Sequence, residues 1–187
     1  MSNQTCLIAL GGNIPTAEGG PAHTLKEGLK SLARRDIEVK DVSRFYATPC
    51  FPKGAGPDYV NAAAVLVSDH TPEILMQVLH EVEAEFGRAR EQRWGQRTLD
   101  LDLLAVESEI WPDEDTHRAW RDLSLQDQMQ NAPDTFILPH PRLQDRAFVL
   151  VPLADIAPDW RHPILNRSVR EMLACLSEQD IAEVVPL

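Results

Sequence analysis

Two aspartates lie two positions apart in the segment RTLDLDLL, residues 97–104. In a β-strand, Asp100 and Asp102 would project from one face, with Cα atoms roughly 6.6 Å apart, while the leucines beside them would point to the other face. Magnesium takes one or two protein carboxylates and completes its shell with water and phosphate oxygens, and two such ions can clamp a phosphoryl group. The pair therefore predicts a magnesium site. The alternative is an amphipathic strand with Asp on its outer face, although Asp is depleted in strands.

A basic cluster immediately precedes this strand, in an otherwise acidic chain. Its four arginines are Arg88, Arg90, Arg93 and Arg97, with Glu91 as the one acid among them. The arginine fork matches phosphate oxygens and stays charged at any working pH. Phosphoryl transfer needs positioning and charge neutralisation above all, so paired Asp beside several Arg predicts that chemistry. A solvated charged loop is the alternative, and Trp94 within it would either stack on a ligand or simply pack.

Other residues offer weaker signals. His140 stands between two prolines that restrict its backbone, and Arg146 is a further cation; each alone would be assigned a structural or surface role. The sequence contains no GxxxxGK[ST], GxSxG or HExxH motif, which argues against a P-loop protein, an α/β-hydrolase and a zincin. The turn Gly11-Gly12-Asn13 lacks the pattern of a dinucleotide fingerprint.

Composition limits the class of protein. The 187 residues, 43% apolar and 25% charged, predict one globular domain over 1–187. A net charge of −11 argues against nucleic acid as a partner. The apolar run at residues 6–10 is too short for a secretory leader, and no run approaches the roughly 20 apolar residues of a membrane helix. Three dispersed cysteines predict free thiols and a cytoplasmic location.

The elements that must position these residues follow a βαββαβ order. Strands are predicted over 5–10, 37–46, 59–68 and 98–106. One helix should begin with a capping box at Thr24 and Glu27. The other should begin at Thr71-Pro72; its apolar stripe consists of Ile74, Leu75, Val78, Leu79, Val82 and Phe86. This order predicts an α+β, ferredoxin-like sheet with helices on one face.

The C-terminal part should add helices to that sheet. The pattern predicts a helix over 146–156 and a last helix capped by Ser168 and Glu171. Residues 107–135 form an acidic, irregular insertion with a candidate helix over 118–129.

Taken together, the motifs resemble one family. IALGGN, FYATP, PDYVNAA, GRAR followed by RWGQRTLDLDLL, and LPHPRLQDRAFVLVPLADIAPD occur in the order found in 6-hydroxymethyl-7,8-dihydropterin pyrophosphokinases. The resemblance covers about residues 7 to 160, apart from the insertion. It implies a monomer-sized cytoplasmic enzyme of folate biosynthesis that transfers pyrophosphate from ATP to the pterin hydroxymethyl group and releases AMP. It also implies two Mg²⁺ ions, bound with ATP as co-substrate.

The same resemblance implies roles for individual residues. Asp100 and Asp102 would bind the two magnesium ions, while Arg88 and Arg97 would contact the phosphates. The implied nucleotide contacts are Glu83, Arg90, Trp94, Leu103, His140 and Arg146. The implied pterin contacts are Thr48, Pro49, Phe51, Tyr59, Asn61, Trp94 and Phe148.

Departures from the family pattern leave other interpretations open. The stretch between Asp102 and His140 is longer than usual, and it could be a lid, an oligomer contact or a neutral surface insertion; we favour the last because surface loops tolerate insertion. Another metal-dependent phosphotransferase or nucleotidyltransferase could use the same aspartates. A non-catalytic ligand-binding or regulatory relative could also share the fold.

Overall fold

An antiparallel sheet organises the part of the chain that the computed structural model describes, residues 3–50, 54, 56–87, 97–124, 126–127, 131, 133 and 135–187. The strands are β1 (Gln4–Gly12), β2 (Glu38–Val42), β3 (Tyr46–Thr48), β4 (Tyr59–Ser68), β5 (Asp100–Val106) and β6 (Val185–Pro186). Their order is β5-β1-β4-β3-β6, and β2 pairs with β4 as well. Every pairing is antiparallel. The fold is therefore a mixed α/β structure with a six-stranded sheet, and the finer ferredoxin-like topology stays a prediction.

Helices cover both faces of this sheet. They are α1 (Pro21–Ala33), α2 (Pro72–Glu85), α3 (Glu114–Arg121), α4 (Ala147–Ile156), α5 (Val169–Leu173) and α6 (Glu178–Ala182), with one 3₁₀ turn at Leu143–Asp145. Helices α1 and α2 pack on the face that carries Ile8 and Leu10 of β1. Helices α4 and α5 pack on the opposite face, against Leu7 and Ala63. Burial on both faces explains why β4 is almost continuously apolar.

Most predicted elements are present, because their signals are local. Helix α2 begins at Pro72, and the Thr71 hydroxyl accepts from the Ile74 N–H at 3.5 Å. The capping box of Ser168 and Glu171 is formed at the start of α5. Helix α4 matches the predicted 146–156 helix, and β1, β4 and β5 lie within two residues of their predicted bounds. The predicted 37–46 strand is divided between β2 and β3.

Three expectations are wrong. The predicted capping box at Thr24 is absent because α1 already begins at Pro21, so Thr24 lies inside the helix, where its hydroxyl donates to the Gly20 carbonyl at 3.5 Å. Ile74 belongs to the predicted apolar stripe of α2 but is 44% exposed. The helix of the insertion begins at Glu114 rather than at Arg118, because the Asp113 carboxylate caps it by accepting the Thr116 N–H at 2.8 Å.

Backbone pairing attaches the insertion to the chain that follows it. The Trp111 N–H donates to the Leu138 carbonyl at 2.9 Å, and the Leu138 N–H donates back at 3.0 Å. The rings of Trp111 and Phe136 stack with centroids 5.4 Å apart. Among the described helices, none combines the length and apolar character needed to span a bilayer.

Candidate active site

The two aspartates of β5 lie as the alternation predicts. Leu101 and Leu103 are 2% and 4% exposed in the core beneath α1 and α2. Asp100 and Asp102 are partly buried on the opposite face of the strand. The carboxylate of Asp100 forms an ion pair with Arg97. The i, i+2 spacing therefore places two hard oxygen donors side by side, with a guanidinium next to them.

Sheet register places Asp100 beside a polar side chain of another strand. Gly11 of β1 pairs with Asp100 on one side and with Asn61 of β4 on the other. Directly opposed residues share a face, so Asp100, Gly11 and Asn61 form one row across three strands. A Cβ at Gly11 would lie 3.1 Å from the Asn61 side-chain oxygen. Glycine thus leaves a shallow groove between a carboxylate and an amide.

Arg97 is held in this groove by its backbone as well as by its charge. Its N–H donates to the Asn13 side-chain oxygen at 2.9 Å, and its carbonyl accepts the Asn13 N–H at 2.9 Å. The backbones approach so closely that a Cβ at Gly12 would lie 2.5 Å from the Thr98 carbonyl oxygen. Burial acts to lower the pKa of Arg97, but the charges of Asp100 and Asp102 and the hydrogen bond with Asp100 outweigh it and raise that pKa. Arg97 is therefore a permanent cation.

Asn13 is a site residue that the sequence analysis missed. It is 4% exposed, and besides holding Arg97 its amide nitrogen donates to the Pro57 carbonyl at 3.2 Å. One side chain thus connects the end of β1, the residue three positions before β5 and the connector before β4. The sequence analysis assigned Gly11-Gly12-Asn13 a turn role, which is wrong because Gly11 and Gly12 pair within β1, and it missed Asn13 because the partners of that residue are remote in sequence.

The segment after the insertion supplies His140. Its N–H donates to the Leu104 carbonyl of β5 at 2.7 Å, and its Nδ1 accepts the Arg142 N–H at 3.1 Å. Burial, together with the positive charges of Arg146 and Arg142, lowers the pKa of His140 to about 3. The ring is therefore neutral at physiological pH, and its proton resides on Nε2, which is a hydrogen-bond donor.

Arg146 lies at the start of α4, on the same face as the aspartates. Burial lowers its pKa, while the negative charge of Asp102 opposes that effect. The guanidinium also lies over the ring of Phe148, with Cζ 5.6 Å from the ring centroid. A cation, a carboxylate and an aromatic face thus meet at this corner of the sheet.

Glu83 of α2 accepts a backbone hydrogen bond from β5 that the sequence pattern did not predict. The side chain is 1% exposed, and its Oε1 accepts the N–H of Leu101 at 2.7 Å. That N–H lies on the edge of β5 opposite β1, so Glu83 satisfies a donor of an edge strand. Its predicted nucleotide contact stays a prediction, as does that of Leu103, which lies in the hydrophobic core.

A buried polar pair, Asn61 and Thr48, lies near the start of β4, in the strand row that includes Asp100. The Asn61 amide nitrogen donates to the Thr48 hydroxyl at 2.7 Å, and both residues are buried. Tyr59 lies two residues before Asn61 on the same strand face. Burial raises the pKa of Tyr59, and Arg97 lies close enough to oppose that shift.

Of the other predicted pterin contacts, the structure also describes Pro49 and Phe148. Pro49 is partly buried next to Thr48. Phe148 is 40% exposed at the start of α4. Phe51, Arg88, Arg90 and Trp94 lie outside the described residues.

A cavity of about 290 Å³ lies against β5, the strand that carries Asp100 and Asp102. Asp102, Leu103 and His140 line it, as do Met76 of α2 and Trp120 of the insertion. The other lining residues are Asn131, Pro133, Phe136, Ile137, Leu138 and Pro141. Most of the wall is apolar or aromatic, which suits a flat, partly polar ligand.

Comparison with known proteins places this chain in a family. Residues 7–158 match the model of the 7,8-dihydro-6-hydroxymethylpterin-pyrophosphokinase (HPPK) family. The 2-amino-4-hydroxy-6-hydroxymethyldihydropteridine pyrophosphokinase of Synechocystis sp. is 36% identical over 182 residues, which cover 97% of this chain and 79% of the relative. The protein of that name from Pseudomonas aeruginosa is 34% identical over 172 residues, covering 91% of each chain.

The solved structures show the same fold at low identity. Plasmodium falciparum HPPK-DHPS A437G/K540E with pterin and p-hydroxybenzoate aligns with a TM-score of 0.65 at 13% identity, covering 92% of this chain. The chain spans 43% of that larger protein. With the family model matched over most of its length and relatives at 34–36% identity, the chain belongs to the 7,8-dihydro-6-hydroxymethylpterin-pyrophosphokinase family.

Proposed function

We propose that this protein transfers the terminal pyrophosphate of ATP to the hydroxymethyl group of 6-hydroxymethyl-7,8-dihydropterin and releases AMP, a step of folate biosynthesis. The observation that carries the proposal is the row of Asp100, Gly11 and Asn61 across three strands. It sets a carboxylate suited to a phosphate-bound cation beside an amide suited to the edge of a heterocycle. The names of the relatives support the same reaction.

Asp100 and Asp102 fit magnesium better than a transition metal. In the described ranges no three His, Cys, Asp or Glu side chains gather to hold a metal, whereas magnesium needs only one or two carboxylates when phosphate oxygens complete its shell. We therefore assign two Mg²⁺ ions to this pair, with ATP as co-substrate. When bound, the ions neutralise phosphate charge and orient the triphosphate.

The chain's own residues then divide the remaining tasks. Arg97 stabilises charge that develops on the transferred group, as a fixed cation beside the reacting phosphates. Arg146 and the Nε2–H of His140 donate to the nucleotide, and the Leu103 side chain contributes to its apolar surroundings. Family resemblance adds a phosphate contact from Arg88, and nucleotide contacts from Arg90 and Glu83.

We place the pterin at the hydrogen-bonded pair of Asn61 and Thr48. Asn61, fixed by Thr48, reads the hydrogen-bonding edge of the pterin, because a flat heterocycle needs a few fixed polar groups between apolar faces. Phe148 supplies one such face, and family resemblance assigns the other contacts to Pro49, Phe51, Tyr59 and Trp94. We also infer the ferredoxin-like topology, which is supported by the order β5-β1-β4-β3.

Nucleotide analysis tests the proposal directly. Purified protein is incubated with ATP, magnesium and 6-hydroxymethyl-7,8-dihydropterin, and the nucleotides are separated. AMP that depends on both the pterin and magnesium, without ADP, is the expected result. ADP would instead show an ordinary kinase, and binding of both ligands without turnover would show a non-catalytic relative.

A further inference from the structure

The insertion packs against the part of the chain that follows it in sequence, and that part forms one wall of the cavity. His117 of α3 is fully buried, and its Nε2 lies 2.9 Å from the Pro139 carbonyl oxygen. Trp111 forms its backbone pair with Leu138, and its ring stacks on Phe136. In the segment 136–141 that receives these contacts, every residue except Pro139 lines the cavity. The insertion is thus packed onto the site.

Trp120, on the same helix as His117, lines the cavity. It lies three residues after His117, and residues at this spacing are neighbours on one helix side. Trp120 lines the same cavity as Asp102, Leu103 and His140. An aromatic side chain of the insertion therefore shares one cavity with a candidate metal carboxylate.

The charged and the apolar parts of the cavity wall suit different parts of ATP. The triphosphate belongs with Asp102 and the nearby cations, because those groups neutralise and coordinate phosphate oxygens. The base is flat and has a π-face, and it is stabilised by aromatic and aliphatic surfaces. A cavity of about 290 Å³ lies at the lower end of small-ligand sites and suits part of a nucleotide.

We infer that Trp120 forms a wall for the adenine base of ATP, so that the insertion contributes a specificity-determining residue to the nucleotide site. This rests on the proposed function for the identity of the nucleotide. In this inference the insertion has a role in binding, whereas the sequence analysis favoured a neutral role. Sequence could not place Trp120, because its distance from Asp102 depends on how α3 docks.

Equilibrium binding by calorimetry, with α,β-methylene-ATP and magnesium, tests the inference. The methylene group replaces the bridging oxygen at which AMP would leave, so the analogue binds without turnover. Trp120→Leu keeps an apolar side chain but removes the ring, and it should weaken binding of the analogue about tenfold. Inorganic tripolyphosphate has no base, and its affinity should be unchanged. Trp120→Phe should restore most of the binding.

Controls separate base contact from general damage. Arg118→Ala changes an exposed residue of the same helix and should bind both ligands like the wild type, and circular dichroism checks that each variant is folded. The inference is overturned if Trp120→Leu weakens the analogue and tripolyphosphate equally, or weakens neither. Wild-type AMP formation is measured in parallel. If the wild type forms AMP and Trp120→Leu binds the analogue with unchanged affinity, only this inference is wrong. If binding depends on the base but no AMP forms, the proposed reaction is wrong.

Discussion

Asp100 forms an ion pair with Arg97 and lies beside Asp102 on one face of β5. In the proposed site, this carboxylate would hold a metal in addition to pairing with the Arg97 guanidinium. Loss of Asp100 therefore removes more than one negative charge from the site.

We predict that Asp100→Ala abolishes turnover while the protein remains folded. The remaining Asp102 cannot supply both carboxylates, and Arg97 loses its partner. Pterin-dependent AMP formation and the thermal midpoint measure the two outcomes. Asp159→Ala, which removes a carboxylate that is 84% exposed, serves as control. Near-normal activity of the Asp100 variant would exclude the two-metal assignment.

Asn13 and Arg97 should act as a coupled pair. Arg97→Ala should lower kcat by about 10³-fold, by analogy with arginine fingers. Asn13→Ala should lower kcat less, because Arg97 stays but its backbone loses the acceptor at 2.9 Å. In a double-mutant cycle the two losses should be strongly non-additive. Additive losses would mean that Asn13 does not position Arg97, and an effect of Arg97→Ala on ATP affinity alone would remove its transition-state role.

At the scale of secondary-structure elements, a side-chain hydrogen bond links α2 to β5. Glu83 accepts the N–H of Leu101 in the buried space between helix and edge strand. This bond fixes the strand that carries both aspartates against α2, so Glu83 affects the site even without touching a ligand.

We predict that Glu83→Ala lowers the free energy of unfolding by about 1–3 kcal/mol, because the buried N–H of Leu101 loses its acceptor. Glu83→Gln keeps a carbonyl oxygen and should lose less. Urea unfolding followed by circular dichroism measures both. If alanine and glutamine cost the same, the hydrogen bond is not the source of the stability. ATP affinity of the glutamine variant separately tests the nucleotide contact.

Elements with local signals could be predicted from sequence, whereas contacts between distant elements could not. Thr71-Pro72 and the capping box at Ser168 specify helix starts within four residues, and both are confirmed. Thr24 carries the same kind of signal, but Pro21 starts α1 earlier. Docking of α3, and with it Trp120, depends on His117 reaching a carbonyl 22 residues away.

The site follows the same rule. The spacing of Asp100 and Asp102 is enough to predict a shared face, because strand alternation is local. That Gly11 separates Asp100 from Asn61 depends on the register of three strands. Resemblance to a family could indicate which residues are functional, but not that Asn13 holds Arg97.

At the scale of the whole molecule, three histidines among the described residues have a lowered pKa: His117 and His162 are fully buried, and His140 is partly buried. Burial, with the charges of nearby arginines, lowers the pKa of His140 to about 3. Burial, His117 and Arg121 lower the pKa of His162 to about 4. Burial and Arg121 lower the pKa of His117, against the hydrogen bond to Pro139. The rings of His117 and His162 meet edge to face at 5.6 Å and connect α3 to the C-terminal segment.

These histidines should make folding sensitive to mild acid. Above pH 6.5 the rings are neutral in both folded and unfolded chains, so their contribution to stability is fully present. Below pH 6.5 the unfolded chain takes up protons that the folded chain does not, and stability falls until the folded pKa is reached. For His162, the window is pH 6.5 to about 4, and the loss at pH 5 is about 2 kcal/mol.

His162→Asn is the variant that isolates this effect. The His162 Nδ1 accepts the N–H groups of Ile164 and Leu165 at 3.2 and 3.3 Å, and the asparagine oxygen can take that place without titrating. We predict a smaller fall in unfolding free energy between pH 7 and pH 5 for the variant than for the wild type, measured by urea unfolding at both values. Equal slopes would show that His162 is not buried in neutral form.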